Sequence, residues 1–326
     1  MESPEIFENR TKLTDLQLSI EKIRTELSKI IVGQNEMLDL LMTAMLSGGH
    51  VLLEGVPGVA KTLTAKLIAR TVSTNFSRIS FTPDLMPSDV IGSLIFNVKT
   101  SEFEFRKGPI FSNIVLVDEI NRAPAKTQAA LFEVMEEHQI TVDGKTLPLN
   151  PPFMIIATQN PIEHEGTYRL PEAQLDRFLF KVKVSYPTKD QEISMLTGYH
   201  SRNNANDIKI VSAVLSAAEM VDYQQRVRSI HIDPNLITYI TEIIHHSRHN
   251  KSLYLGASPR AAIAILASSK AYAAINGRDF VKPEDIQFVA YPVLRHRIML
   301  TAEKEMEGIT TDDVIKQIIQ GIEVPR

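Results

Sequence analysis

The stretch Leu52-Leu53-Glu54-Gly55-Val56-Pro57-Gly58-Val59-Ala60-Lys61-Thr62 groups glycines, a lysine and a hydroxyl in the order that phosphate chemistry uses. A short apolar run leads into a Gly/Pro turn, and a helical pattern follows over residues 63–70. A loop that ends a strand and opens a helix aims backbone N–H groups and the positive dipole end at an anion. Lys61 would neutralise β- and γ-phosphate charge, and the Thr62 hydroxyl would bind Mg2+. A lysine in the first turn of a helix is disfavoured by ~0.3–1 kcal/mol unless an anion sits beside it. Alanine stands at position 60, where the usual loop has glycine. If that position already lies in the helix, alanine is costless there and favours the helix. Without a ligand, the stretch would be a plain turn between a strand and a helix.

A second element is Ile114-Val115-Leu116-Val117-Asp118-Glu119, a buried strand that ends in two acids. Asp118 could hold Mg2+, and Glu119 could polarise an attacking water. Alone, such a pair could simply mark a strand leaving the core for solvent. With the preceding loop, it completes a nucleotide site. The run from Phe153 to Gln159 ends at Asn160-Pro161, and Asn160 could orient the lytic water between the γ-phosphate and Glu119. Asn-Pro is also a common turn dipeptide.

These side chains need a scaffold of strands and helices. Short apolar runs at 51–54, 76–81, 114–118, 153–159 and 180–186 read as strands, separated by helical patterns at about 61–72, 124–138 and 171–178. The run at 114–117 is apolar on both faces, as a central parallel strand covered by helices should be. The expected fold is therefore α/β, a phosphate-loop core with a mostly parallel five-stranded sheet. Residues 94–107 and 139–149 read as hairpins, the second on its Asp143-Gly144 turn. Two apolar helices, at about 13–31 and 37–46, precede the sheet.

Strand patterns end after Pro187. Thr188-x-x-Gln191 and Ser216-x-x-Glu219 are capping-box signatures, and Asp233-Pro234 and Ser258-Pro259 place a cap before a first-turn proline. The expected division is residues 1–187 for the α/β core and residues 188–326 for an all-helical second domain.

The 326 residues are 44% hydrophobic and 23% charged, an ordinary globular balance. A net charge of −4 gives no electrostatic case for a dedicated nucleic-acid binder. Absence of cysteine excludes disulfides, thiolate zinc sites and cysteine nucleophiles, and fits a reducing cytoplasm. The acidic N-terminus lacks the character of a signal peptide, and no apolar run reaches the ~20 residues of a membrane span. A cytoplasmic location is expected. His245, His246 and His249 share one helical pattern, but only 245 and 249 share a face, so a solvated helix is the simpler reading.

Taken together, these motifs resemble the AAA+ ATPases, and their spelling is similar to the MoxR family of the helix-2-insert clade. The resemblance rests on Gly55-Val-Pro-Gly-Val-Ala-Lys-Thr62, Asp118-Glu-Ile-Asn-Arg-Ala123, Ala157-Thr-Gln-Asn-Pro161 and Leu170-Pro-Glu-Ala-Gln-Leu-Asp-Arg-Phe178. It implies an ATP hydrolase that uses ATP and Mg2+, with a helical lid as its second domain. The nucleotide would contact Gly33 and Gln34 at the adenine and Gly55, Pro57, Gly58, Val59, Ala60, Lys61, Thr62 and Leu63 along the loop.

The resemblance further makes Arg177 an arginine finger offered to the neighbour's γ-phosphate and Arg260 the lid's sensor. A local ion pair with Asp176 and a solvated surface arginine are the plainer readings of these two. The two hairpins would face the pore of a ring, hexameric by resemblance. Relatives act as chaperone-like remodellers, frequently paired with a protein partner carrying a von Willebrand A domain. A magnesium-chelatase-type motor subunit, a DNA-associated transcriptional regulator and a catalytically dead scaffold are the competing readings. The small basic patch Arg295-His296-Arg297 weighs against the regulator, and retention of Glu119 and Arg177 weighs against the scaffold.

Overall fold

The computed structural model describes residues 13–56, 58–160, 168, 170–202 and 207–325. Two compact units divide the chain. One comprises Ile23–Leu41 and Gly48–Val221, and the other comprises the residues through Lys22, Met42–Ser47 and Asp222–Arg326.

Helices α1 (Thr14–Ser28) and α2 (Asn35–Ser47) precede β1 (Val51–Gly55), which turns into α3 (Lys61–Thr71). There follow β2 (Phe76–Ser80), α4 (Pro87–Ile91), the hairpin β3 (Gly92–Asn97) and β4 (Glu102–Lys107), and β5 (Ile114–Asp118). Next come α5 (Ala125–Glu137), the hairpin β6 (Gln139–Val142) and β7 (Lys145–Pro148), and β8 (Met154–Gln159). A single turn, α6 (Glu172–Leu175), leads to β9 (Phe180–Val184) and α7 (Lys189–Ser201).

The five strands β2-β5-β8-β1-β9 form one sheet, and each pairing is parallel. In β5, Ile114, Val115, Leu116 and Val117 are at most 1% exposed, so both faces are covered. The core there joins Leu52, Val115, Val117, Leu131, Phe132, Ile155 and Phe178. Parallel pairing brings the C-terminal ends of β1, β5 and β8 to one edge, where open α/β sheets bind ligands. His50 fastens three elements beneath that edge. Its Nδ1 accepts from Ile155 N–H at 3.0 Å, and its Nε2 lies 3.0 Å from the Met135 carbonyl. A ring with an acceptor on one nitrogen and a donor on the other is neutral. Full burial pushes its pKa down to about 4.

The C-terminal part holds α8 (Ala217–Arg228), α9 (Pro234–His249), β10 (Leu253–Leu255), α10 (Pro259–Ile275), α11 (Pro283–Leu294), β11 (Met299–Leu300), α12 (Ala302–Met306) and α13 (Thr311–Gln320). It is helical apart from the antiparallel ribbon β10–β11. The ribbon strands are two and three residues long, too short to leave a period-2 pattern. Thr188 and Ser216 form their capping boxes, and Asp233 accepts from Asn235 N–H at 2.8 Å. Ser258 does not cap α10 through its side chain, and its buried Oγ makes no hydrogen bond among the described residues. Within this unit, Asp285 is 2% exposed and takes Arg278 on both carboxylate oxygens and the Lys282 N–H at 2.8 Å.

Candidate functional site

The phosphate loop lies between β1 and α3, with Pro57 outside the described residues. Ala60 is the cap residue in front of α3, at φ 59° and ψ 19°. Position 60 thus lies outside the helix, and the condition under which alanine would be costless there is not met. Alanine occupies a left-handed backbone, a conformation that costs a residue with a Cβ about 1–2 kcal/mol. Gly58 also has positive φ, 89°. At Gly55, a Cβ would stand 2.5 Å from the Val184 carbonyl of β9, so only glycine fits that strand end.

Helix α3 opens without a side-chain cap and without an acid in its first turn. Its orphan N–H groups and dipole are thus left for an anion. Lys61, at its first position, donates to the Gly55 carbonyl at 2.6 Å, folded back over the loop. Burial pushes the Lys61 pKa down, against the raising effect of Asp118, Glu119 and Glu54. A half-buried cation at an uncapped helix N-terminus fits a polyphosphate. Thr62 follows, half-buried, beside it.

Asp118 ends β5, and Glu119 opens the turn that follows. Thr158 of β8 bridges them, accepting the Glu119 N–H at 3.0 Å and donating to Asp118 Oδ1 at 3.3 Å. Asp118 also pairs with Arg78 of β2 at 2.6 Å, and Glu119 pairs with Arg122 at 3.1 Å. Glu119 itself sits at φ 56°, ψ 52°. Strained backbone of this kind persists where the surroundings over-determine it, here through the Thr158 contact. Glu54 pairs with Lys181 at 2.7 Å. Arg78, Arg122 and Lys181 thus each hold one of the three carboxylates that act on Lys61.

Asn160 directly follows β8, whose Gln159 is in register with Glu54 of β1. That places it between the loop strand and the acidic strand in the sheet order. Gln34 lines a cavity of about 660 Å3 with Gly58, Val59, Ala60 and Leu63. Its walls include Ile31, Tyr186, Met195, Leu196 and Tyr199, an apolar lining suited to a flat base. Gly33 and Gln34 both have positive φ, and Gln34 Nε2 donates to the Ser185 carbonyl at 3.1 Å.

Arg177 pairs at 2.9 Å with Glu136 of α5, a partner distant in sequence from the neighbouring Asp176. Arg260 is the second residue of α10 and belongs to the other compact unit. The rings of His245 and His249 lie 4.3 Å apart on α9. Among the described residues, no group of three or more His, Asp or Glu side chains could hold a metal ion by itself. Mg2+ characteristically binds through one or two protein groups plus substrate phosphates. Thr62 and Asp118 fit that donor set.

Sequence reasoning missed Thr158, Arg78, Arg122 and Glu136. The motif spelling contained Arg122 and Thr158 without revealing their partners, which only the strand register and the local turn define.

The geometry has counterparts among known proteins. Residues 50–180 match the family model described as ATPase family associated with various cellular activities (AAA), and residues 245–318 match an AAA lid domain. Chaperone MoxR1 of Mycobacterium tuberculosis is 41% identical over 317 residues, covering 94% of this chain and 83% of the relative. The chain belongs to the MoxR family of AAA+ ATPases. Two further proteins are similar over nearly their whole length. The uncharacterised Bacillus subtilis protein YeaC is 44% identical, covering 95% of this chain and 96% of its own. A crystal structure from Cytophaga hutchinsonii, described as a proposed ATPase, superposes with a TM-score of 0.89 at 42% identity, covering 96% and 97% of the two chains. In this MoxR-family chain, no helix among the described residues is long and apolar enough to cross a membrane.

Proposed function

We propose that the protein binds and hydrolyses Mg-ATP and couples the reaction to chaperone-like remodelling or activation of partner protein complexes. The observation that carries this is one edge of the sheet. There the half-buried Lys61 and the uncapped α3 lie within electrostatic reach of Asp118 and Glu119, which Thr158 holds together.

In this reading, the backbone of residues 55–63 and Lys61 grip the phosphates, and Gly33 and Gln34 sit at the adenine. Thr62 and Asp118 hold Mg2+, which supplies charge neutralisation to the phosphates. Glu119 accepts a proton from water as the water oxygen attacks the γ-phosphorus. The bond to the ADP oxygen breaks, and inorganic phosphate leaves. Asn160 orients the water. Arg177 reaches the nucleotide of a neighbouring subunit in a ring, taken as hexameric, and Arg260 answers the nucleotide from the lid. Residues 1–187 serve as core and 188–326 as lid, with hydrolysis moving one against the other and shifting the two hairpins. The relative named a chaperone supports the remodelling role. A von Willebrand A partner and a cytoplasmic location belong to the same reading.

Lys61→Ala tests the phosphate grip. ATP affinity, measured with a fluorescent nucleotide analogue, should fall by at least 10-fold. Unchanged affinity would remove the loop assignment.

A further inference from the structure

Helix α5 anchors the segment around Arg177 at two points. Phe178 is fully buried and meets Phe132 edge-on, with ring centroids 5.9 Å apart. Glu136, one helical turn further along, takes Arg177 Nε at 2.9 Å. The grip is on the flank of the planar guanidinium, whose terminal amino groups form the leading edge of the side chain. Both partners are about a third exposed, 32% and 37%. An ion pair so open to water contributes little to stability. What it does contribute is orientation, because a long side chain with many rotamers is held in one.

The same helix begins just after the Asp118–Glu119 turn and ends at the β6–β7 hairpin. One rigid element therefore connects a subunit's own acidic pair to Arg177.

We propose that Glu136 is a positioning residue that presents Arg177 to the nucleotide of the adjacent subunit. The proposal rests on the reading of Arg177 as a residue shared between subunits. Misplacing a catalytic group by ~1 Å costs on the order of 100-fold in rate, while an arginine given in trans is worth ~10³–10⁵. Glu136→Ala should therefore lower kcat by ~10–100-fold, with KM for ATP and nucleotide affinity essentially unchanged. Glu136→Asp, which keeps the charge on a shorter arm, should restore part of the loss.

Subunit mixing separates this from its premise. Arg177→Ala subunits keep an intact site but offer no arginine, and Glu119→Gln subunits offer the arginine but cannot turn over. Their mixture should recover hydrolysis. Putting Glu136→Ala into the Glu119→Gln donor should cut that recovery ~10-fold or more. Putting it into the Arg177→Ala acceptor should leave recovery unchanged. Equal recovery from both donors would overturn the role of Glu136 while leaving the shared arginine standing. Loss of recovery from the altered acceptor would also overturn it, showing damage to folding or to the subunit's own site. No recovery in the first mixture would remove the shared arginine, and the positioning role with it.

Discussion

His50 gives the sharpest pH-dependent consequence of the fold. In the folded protein, its pKa is pushed by burial to about 4, against ~6.5 in an unfolded chain. The depressed value means that the unfolded state binds the proton first as pH falls. His50 therefore contributes no penalty above about pH 6.5, and stability is lost progressively as pH drops from ~6.5 to ~4. Two and a half pH units at ~1.36 kcal/mol each set a limit of ~3.4 kcal/mol, of which ~2 kcal/mol is already lost at about pH 5. The strain falls at the joint of β1, α5 and β8, since protonation would oppose the Ile155 N–H that Nδ1 accepts. The assay is urea unfolding of wild type and His50→Gln at about pH 7.5 and about pH 5. Glutamine cannot titrate, so the variant, less stable at neutral pH, should lose ~2 kcal/mol less than wild type on acidification. Equal losses in both proteins would refute the assignment of a neutral, buried His50.

Other consequences follow from single contacts. Ala60→Gly relieves a left-handed alanine, offset in part by the entropy glycine loses on folding, and should stabilise by about 0.5–1 kcal/mol, read as a higher Tm. A lower Tm would contradict the strained loop. Asp285→Ala leaves Arg278 without its carboxylate partner and removes the acceptor for the Lys282 N–H. It should destabilise the C-terminal unit by about 1.5–3 kcal/mol in urea unfolding, and a loss under ~0.5 kcal/mol would show that the pair is dispensable.

Much of the core was legible because its signals are local. The run Ile114–Val117 announces a strand buried on both faces, and Asp143-Gly144 announces the β6–β7 turn. The loop from Gly55 to Thr62 was legible for the same reason. Whether position 60 belongs to the helix stays open in the sequence, because the spelling of a loop does not state where its helix begins. The conformation of Ala60 does. Arg78 reaches Asp118 only because β2 and β5 pair with Ser80 opposite Asp118, and no spacing between residues 78 and 118 encodes that register. Glu136 and Arg177 meet for a similar reason, across a helix packed through Phe132 and Phe178. Ser258 has the sequence form of a helix cap, yet its hydroxyl is turned away from that role.

The most direct measurement is the ATPase rate per subunit as a function of protein concentration with Mg2+ present, for wild type and Glu119→Gln. A site completed by a neighbour predicts a wild-type specific activity that climbs with concentration as subunits assemble and then levels off. Glu119→Gln should bind ATP with near-normal affinity and turn over at least ~100-fold more slowly. Wild-type turnover that is independent of concentration in a species that sizes as a monomer would contradict the shared site. Undiminished hydrolysis by Glu119→Gln would contradict the placement of the reaction at the end of β5.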